Sequence, residues 1–81
     1  MHFVYIVKCS DETYYTGYTN NIEKRLKAHN EGKGAKYTRA RLPVRLIYQE
    51  TYENKSEALK REYAIKQLTR SKKEVLIKSL T

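Results

Sequence analysis

Phenol groups are concentrated near an arginine and a histidine in the first third of the chain. The protein has 81 residues, with eight tyrosines, one phenylalanine and no tryptophan, so many ring hydroxyls each need a polar partner. Arg25 and His29 are four residues apart and share one side of a predicted helix. They lie at the margin of an apolar stripe built on Ile22 and Leu26, where a helix meets a sheet. An arginine with a buried stem and a histidine bonded to the backbone would also fit these positions.

Two of the tyrosines are predicted to be neighbours across a pair of strands. Tyr5 shares a strand face with Phe3, Tyr15 shares one with Gly17, and a short turn would bring the two strands together. Gly17 inside a strand indicates a bend or a close approach of another group to the backbone. Core packing with an outward hydroxyl is the alternative for any single ring.

A carboxylate interrupts the predicted apolar face of a later helix. That face is formed, at steps of three and four residues, by Ala58, Leu59, Glu62, Ile65 and Leu68. Burying an unpaired carboxylate costs several kcal/mol. Glu62 is therefore expected to bind a metal ion or to pair with a lysine or an arginine, and both interpretations stay open at this point.

Positive charge is concentrated in the middle of the chain. The net charge is +8; residues 1–31 carry four basic and four acidic side chains, and residues 50–81 carry eight basic and five acidic ones. Residues 32–49 carry no acid and five basic side chains, which are Lys33, Lys36, Arg39, Arg41 and Arg45. Localised positive charge favours a polyanion partner, most often nucleic acid. A solvated loop that aids solubility is the other interpretation.

The pattern of apolar and turn residues predicts three strands and three helices in the order ββαβαα. Strands are predicted for HFVYIVK, YYTGYT and VRLIYQETY, with a turn at SDET between the first two. Helices are predicted for NNIEKRLKAHNEG, NKSEALKREYAIKQLT and SKKEVLIKSL, and a basic loop for GKGAKYTRARLP. This order predicts an α+β domain, a small three-stranded antiparallel sheet flanked by helices.

Local signals also predict the helix ends and the orientation of the third strand. Each helix is expected to begin at a capping box, formed by Asn20 and Glu23, by Asn54 and Glu57, and by Ser71 and Glu74. Gly32 can end the first helix in the left-handed conformation. Alternation along the third strand predicts one shared face for Val44, Leu46 and Tyr48.

Length and composition bound the class of protein. We expect one domain over residues 1–81, with its core in about residues 3–70 and a C-terminal helix over about residues 71–81. Cys9 is the single cysteine, which excludes an internal disulfide and a multi-cysteine zinc site. No stretch approaches the ~20 apolar residues that cross a bilayer, and the N-terminus lacks the features of a signal peptide. A soluble cytoplasmic protein with no membrane partner is expected.

Taken together, these residues resemble the GIY-YIG nucleases. The first motif of that family matches Phe3-Val4-Tyr5, with phenylalanine in place of glycine, and the second matches Tyr15-Thr16-Gly17, with threonine in place of isoleucine. The family's arginine, histidine and metal-binding glutamate match Arg25, His29 and Glu62. The resemblance is closest to small stand-alone members, which look like the nuclease domain of a eukaryotic structure-specific endonuclease.

The resemblance implies a metal-dependent endonuclease that hydrolyses phosphodiester bonds in nucleic acid, with DNA favoured over RNA. It implies that Arg25 binds the scissile phosphate and that Glu62 holds Mg²⁺ or Mn²⁺. A tyrosine hydroxyl would serve as base for the attacking water. Tyr5 is favoured for that role, with Tyr15 as its positioning neighbour and His29 as a group that orients water or relays the proton.

The basic residues and the last helix suggest a binding surface and two alternative functions. The groups expected to hold the nucleic-acid backbone beside the site are Lys33, Lys36, Arg39 and Arg41. A non-catalytic nucleic-acid-binding module is the alternative function, for which the basic segment 32–45 would suffice. A regulatory subunit that depends on a larger protein partner for specificity is another, with its interface at Val75, Leu76 and Leu80.

Overall fold

The computed structural model describes residues 1–79 and contains a three-stranded antiparallel sheet. Strand β1 spans His2–Lys8, β2 spans Tyr14–Thr19 and β3 spans Arg45–Tyr52. Strand β1 lies in the centre, between β2 and β3, and its four residues 4–7 are all buried. Its β-branched and aromatic side chains suit this doubly covered position. The predicted α+β class with a three-stranded antiparallel sheet is confirmed.

Within residues 1–79, four helices flank the sheet, one more than predicted. Helix α1 spans Ile22–Asn30, α2 spans Lys36–Arg39, α3 spans Lys55–Lys66 and α4 spans Arg70–Lys78. Helix α2 is a single turn inside the predicted basic loop, and it begins without a side-chain cap, so the signal used to find the other helices is missing there. Among the described residues, no helix combines the length and the apolar character that crossing a bilayer requires. The end of the predicted C-terminal helix, including Leu80, lies outside the described residues.

Hydrogen bonds at the start of each helix show which of several neighbouring polar residues caps it. Asn54 caps α3 as predicted, because its side chain accepts two backbone N–H groups of the first turn. Helix α1 is capped by Asn21 and not by the predicted Asn20, and α4 is capped by Thr69 and not by Ser71. Residues able to cap lie close together at both starts, so sequence alone does not distinguish them.

The end of α1 was predicted at the right place. Gly32 has a φ of 78°, and its N–H donates to the carbonyl of His29 at 3.0 Å, while the N–H of Lys33 donates to the carbonyl of Ala28 at 2.9 Å. These two bonds form a Schellman motif, which uses glycine because a left-handed residue is required. The helix therefore stops just after His29, and the chain turns from there toward α2.

Two apolar clusters cover the two faces of the sheet, because successive residues of β1 alternate in direction. The cluster under α1 contains Tyr5, Val7, Cys9 and Val44, with Ile22 and Leu26 of the helix packed against it. The cluster under α3 contains Val4, Ile6, Tyr48, Ala58 and Ile65, with Leu76 and Ile77 of α4 packed against it. Tyr5 therefore faces the helix that carries Arg25 and His29.

A β-bulge changes the face that β3 presents. Ile6 pairs with Tyr48, but the next residue of β1, Val7, pairs with Leu46, so β3 has one extra residue at this point. Leu46 packs in the cluster under α1, whereas Tyr48 packs in the cluster under α3. The predicted common face therefore holds for Val44 and Leu46, which pack in the same cluster, and was wrong for Tyr48, since strict alternation does not continue through a bulge.

Helix α3 buries a narrower face than predicted. Ala58 and Ile65 are fully buried, but Leu59, predicted on the same face, is 41% exposed. The side chain of Glu62 is 18% exposed. A helix that touches a sheet along one line leaves residues beside that line partly in solvent, so Glu62 lies at the edge of the core rather than inside it.

Candidate active site

Tyr5 crosses over Gly17, its direct partner on β2. The two residues are paired in the strand register, and a Cβ on Gly17 would collide with the hydroxyl oxygen of Tyr5. Glycine therefore lets the ring lie over β2 with its hydroxyl above Gly17, where α1 can contact it. The close approach predicted at Gly17 is confirmed.

The hydroxyl of Tyr5 is the first member of a buried chain of hydrogen bonds. It lies 2.8 Å from Nε2 of His29, and Nδ1 of His29 lies 2.9 Å from Oγ1 of Thr38. Thr38 in turn donates to the carbonyl of Ala35 at 2.9 Å. His29 and Thr38 are both fully buried, so each polar atom in the chain depends on these partners.

The hydroxyl of Thr38 determines which nitrogen of His29 carries the proton. Its one hydrogen goes to the carbonyl of Ala35, so toward His29 it can only accept, and Nδ1 must be the donor. Burial lowers the pKa of His29, and the charge of Arg25 adds to that effect. The imidazole is therefore neutral at pH 7, and its Nε2 accepts the hydrogen of the Tyr5 hydroxyl.

The phenol of Tyr5 is protonated in this arrangement. Burial raises the pKa of Tyr5, the hydrogen bond and the charge of Arg25 oppose that rise, and the neighbouring Tyr15 and Glu62 add to it. Arg25 thus acts to lower the pKa of Tyr5, but burial outweighs it. Tyr5 can take a proton from another group only if it passes its own proton on.

Arg25 supplies a fixed positive charge on the other side of the phenol. Its Nε donates to the hydroxyl of Tyr5 at 3.3 Å, and this bond raises the pKa of the guanidinium, while its burial opposes the rise. Arg25 also lines a surface groove of about 220 Å³, together with Lys24. The bond to a buried phenol distinguishes Arg25 from a snorkelling arginine, whose charged end would lie in water.

Tyr15 lies on the same sheet face, diagonally from Tyr5, since Tyr15 pairs with Val7. Its ring centre is 5.5 Å from that of His29 in an edge-on contact and 6.0 Å from that of Tyr37 in a stacked one. The ammonium of Lys66 lies 6.0 Å from the centre of the Tyr15 ring. Tyr15 thus joins the buried chain around His29 to the surface.

Glu62 lies on α3 and reaches the site through its charge. Its Oε2 is 3.4 Å from the ammonium of Lys66, the same group that lies over Tyr15, and its charge contributes to the raised pKa of Tyr5. Lys66 is 46% exposed at its side chain, so this pair is open to water and is not a closed internal ion pair. Within residues 1–79, no three histidine, cysteine, aspartate or glutamate side chains converge as a metal cluster.

The four basic residues predicted to hold a nucleic-acid backbone differ in their surroundings. Lys33, Lys36 and Arg39 are exposed. Arg41 is half-buried and donates to Asp11 at 3.0 Å, and its guanidinium lies 4.0 Å from the centre of the Tyr37 ring. Arg41 is thus largely occupied within the protein, and the other three are the cations directed to solvent.

Three residues near His29 were not predicted from the sequence. Thr38 and Tyr37 lie in α2, which was itself missed, and a Cβ on Gly34 would collide with Nδ1 of His29. Gly34, in a segment with neither a strand pattern nor a cap, was the signal that the chain passes close to another group here, whereas Gly32 has open space around it and serves to end α1.

Comparison with known proteins identifies the same family as the sequence motifs. A model of the GIY-YIG catalytic domain matches residues 1–74. A UPF0213 protein from Clostridium perfringens is 65% identical over 79 residues, which cover 98% of this chain and 85% of that protein. A UPF0213 protein from Staphylococcus aureus is 65% identical over 77 residues, which cover 95% of this chain and 94% of that protein.

Two solution NMR structures share the fold. One is the UPF0213 protein from Bacillus halodurans, with 49% identity and a TM-score of 0.63, covering 95% of this chain and 82% of that one. The other is a protein from E. faecalis, with 47% identity and a TM-score of 0.66, covering 98% of this chain and 84% of that one. The resemblance read from the motifs is confirmed: the chain belongs to the GIY-YIG catalytic domain family, and its close relatives are small stand-alone bacterial UPF0213 proteins.

Proposed function

We propose that this protein is an endonuclease that hydrolyses phosphodiester bonds in nucleic acid, with DNA as the favoured substrate, at the cluster of Tyr5, Arg25 and His29. The observation that carries the proposal is the hydroxyl of Tyr5. It is bonded on one side to a cation that can stabilise negative charge and on the other to a neutral imidazole that can take a proton. A hydroxyl buried for stability alone needs one such partner, not both.

The proton of the attacking water passes through two residues. Tyr5 takes a proton from the water at its hydroxyl oxygen while its own hydrogen moves to Nε2 of His29. This relay avoids a free phenolate, which the raised pKa of Tyr5 makes unfavourable. Thr38 keeps the other nitrogen of His29 protonated, so that Nε2 remains the acceptor.

Arg25 stabilises the negative charge that develops during the attack. Its guanidinium is held by Tyr5, and Arg25 also lines the groove shared with Lys24, so the scissile phosphate would lie at Arg25, between the phenol and that groove. A fixed cation aimed at developing charge is among the strongest terms in enzymatic catalysis. The attack forms a new P–O bond, and the leaving oxygen departs with the electron pair of the old one.

Glu62 is the residue that would hold a divalent metal. GIY-YIG nucleases generally use divalent metals, and a Mg²⁺ or Mn²⁺ ion would supply positive charge to the phosphate oxygens. The donor set fits such an ion, because Mg²⁺ is often bound through one carboxylate while waters and substrate oxygens complete its shell. The partner of Glu62, the exposed Lys66, can move aside at little cost because surface ion pairs are weak.

The experiment that tests this function is cleavage of flap, branched and single-stranded DNA with Mn²⁺, with Mg²⁺ and with a chelator. We expect metal-dependent cleavage by the wild type. Arg25→Ala and Glu62→Gln should each lose activity by about 10²-fold or more, with DNA binding retained. Glu57→Gln, a change of the same type on the exposed side of α3, is the matched control and should be fully active. Equal cleavage by Glu62→Gln and the wild type would reject the metal role of Glu62.

A non-catalytic nucleic-acid-binding module is the second candidate. It is favoured by the ion pair of Glu62 with Lys66 and by the lack, within residues 1–79, of three converging side chains that could bind a metal. This function predicts binding that does not depend on metal, with no cleavage of any of the three substrates by the wild type.

A further inference from the structure

We propose that a groove next to the candidate active site binds one unpaired nucleotide of the substrate, so that the preferred substrate is single-stranded or flapped at the cut. The groove is lined by Tyr14, Tyr15, Thr16, Tyr37, Lys66 and Lys73. This inference rests on the proposed function for its meaning in cleavage, but the binding of the nucleotide can be measured without it.

The groove adjoins the catalytic cluster through Tyr15. That residue forms one wall of the groove, and its ring also contacts the ring of His29. The groove has a volume of about 280 Å³, which is near the lower limit of pockets that bind small molecules. A strand that leaves the scissile phosphate near Tyr5 would therefore enter this groove with its next nucleotide.

The walls of the groove combine aromatic rings with cations. Tyr37 stacks on Tyr15, which extends the aromatic surface, and the guanidinium of Arg70 lies 4.4 Å from the centre of the Tyr14 ring nearby. Lys73 has no ion-pair partner among residues 1–79. Rings that accept the face or edge of a base, next to ammonium groups that accept a phosphate, are the combination by which proteins bind single strands without reading sequence.

Thr16 provides an independent sign that the groove takes a polar ligand. It is 3% exposed, and its hydroxyl has no hydrogen-bond partner from any side chain or backbone group within residues 1–79. A buried polar group without a partner costs about 1–3 kcal/mol, and isoleucine, the family's usual residue here, would avoid that cost. The hydroxyl oxygen is enclosed at the wall of the groove, so a small movement of that wall on binding would let a polar atom of the nucleotide, directly or through water, become the missing partner.

The stacking and pairing of bases in a duplex explain why the nucleotide must be unpaired. A base in a duplex is stacked on both faces and hydrogen-bonded at its edge, so it cannot turn toward a protein ring without first leaving the helix. An unpaired base has its faces available, and placing it in the groove carries no cost of breaking a base pair.

The test measures binding with a chelator present, so that cleavage does not interfere. Fluorescence anisotropy is recorded for a labelled oligo(dT) of about ten nucleotides, for an abasic backbone of equal length, for an oligo(U) and for a hairpin duplex. We expect the wild type to bind oligo(dT) about tenfold more tightly than the abasic backbone or the duplex, because stacking of one base is lost in both. The oligo(U) arm distinguishes RNA from DNA as the source of the nucleotide.

Substitutions separate the roles of the rings and the cations. Tyr37→Leu should bind oligo(dT) and the abasic backbone equally, whereas Tyr37→Phe should keep the difference because its ring remains. Lys73→Gln should keep the difference between the ligands but reduce the slope of log affinity against log salt by about 0.7. The controls are Tyr63→Leu and Lys60→Gln, which change exposed residues of α3 that do not line the groove. Melting curves verify that each variant is folded.

The outcomes distinguish this proposal from the proposed function. Loss of the oligo(dT) preference in Tyr37→Leu supports the groove even if no DNA is ever cleaved. Metal-dependent cleavage with an oligo(dT) preference unchanged in both Tyr37→Leu and Lys73→Gln would overturn the groove and leave the nuclease proposal standing. Competition by polyglutamate as strong as that by oligo(dT) would identify a site for acidic peptides and would also overturn the proposal.

Discussion

At the scale of single residues, the proposed chemistry depends on two groups that are both neutral at rest. Tyr5 is buried between Arg25 and His29, with its pKa raised, and His29 is buried with its pKa lowered. Neither carries a charge that would have to be stabilised in the folded protein. In the proposed relay a proton crosses both groups in one direction, while Arg25 holds a permanent charge bonded to the phenol.

The hydrogen bond from His29 to Thr38 gives a prediction that separates orientation from packing. Thr38→Val keeps the shape of the side chain but removes the acceptor for Nδ1, so the proton can move to Nε2 and block the relay. We expect turnover to fall more than about tenfold, toward the 10²–10⁴-fold that proton transfer by a side chain contributes. Thr38→Ser should restore most of it.

Nitrogen NMR of His29 checks that prediction without any activity assay. The wild type and Thr38→Ser should show the tautomer protonated at Nδ1, and Thr38→Val should show a mixture or the other tautomer. A single Nδ1-protonated form in Thr38→Val would mean that Thr38 does not set the tautomer.

The buried state of His29 also predicts how stability depends on pH. An unfolded histidine takes up a proton as the pH falls below its ordinary pKa of 6.5, whereas the folded protein resists protonation because the pKa of His29 is lowered. The unfolded state then binds more protons, so the free energy of unfolding is at its full value above pH 6.5 and declines as the pH falls toward the folded pKa.

Denaturant unfolding between about pH 7.5 and about pH 5 measures this decline. His29→Gln should flatten it in that range. An equally steep decline in His29→Gln would assign the ionisation to another group.

The residues of the site were predictable to the extent that they lie in short motifs. Tyr5, Arg25 and His29 are brought together in the structure, and their spacing in the sequence had already placed them on a strand and a helix that could meet. Thr38 was not predictable in the same way, because an isolated threonine in a basic segment has no periodic or capping signal. Its contact with His29 forms because the chain turns back at Gly32 and brings α2 against the end of α1.

At the scale of elements, the pairing of β1 with β2 positions the phenol. The register places Gly17 opposite Tyr5, and the missing side chain there leaves space for the ring. Helix α1 then meets the hydroxyl with two residues one turn apart. A shift of the register by one residue would turn Tyr5 to the opposite face of the sheet, away from α1.

Gly17→Ala therefore tests how strongly the pairing of β1 with β2 depends on the close contact between the Tyr5 ring and Gly17. The new methyl group would collide with the ring of Tyr5, so we expect a loss of about 1–3 kcal/mol in the free energy of unfolding, as for other overpacked cores, and lower turnover. Denaturant unfolding measures the first effect. In a double-mutant cycle with Tyr5→Leu, the cost of Gly17→Ala should fall, because the colliding ring is gone. An equal cost in both backgrounds would attribute the effect to the backbone instead.

Long elements were predictable and short or irregular ones were not. The three strands and three longer helices follow from apolar periodicity and turn residues, both of which act locally. The bulge between Ile6 and Val7 and the single turn of α2 are set by tertiary packing. The bulge moved Tyr48 to the face under α3, a change that no alternating pattern in β3 could reveal.

At the scale of the whole molecule, the basic segment would join the proposed binding of nucleic acid to the proposed catalysis. Helix α2 presents Lys36 and Arg39 to solvent and turns Thr38 inward to His29. Nucleic acid attracted by this segment would therefore meet the protein next to the relay. The concentration of charge in this region was predictable from composition, whereas the inward role of α2 was not, because the helix itself was not predicted.

In this account the basic residues bind DNA and the hydroxyl of Tyr5 takes part in cleavage. A variant that lacks this one oxygen atom should therefore lose cleavage and keep binding. Tyr5→Phe keeps the ring over Gly17 and leaves every basic residue unchanged, so affinity for DNA should stay within about twofold of the wild type. It removes the atom that links the water to His29, and single-turnover cleavage of flap DNA with Mn²⁺ should fall by about 10²–10⁴-fold. A folded Tyr5→Phe variant that cleaves flap DNA at the wild-type rate would contradict the relay and, with it, the assignment of this cluster as the active site.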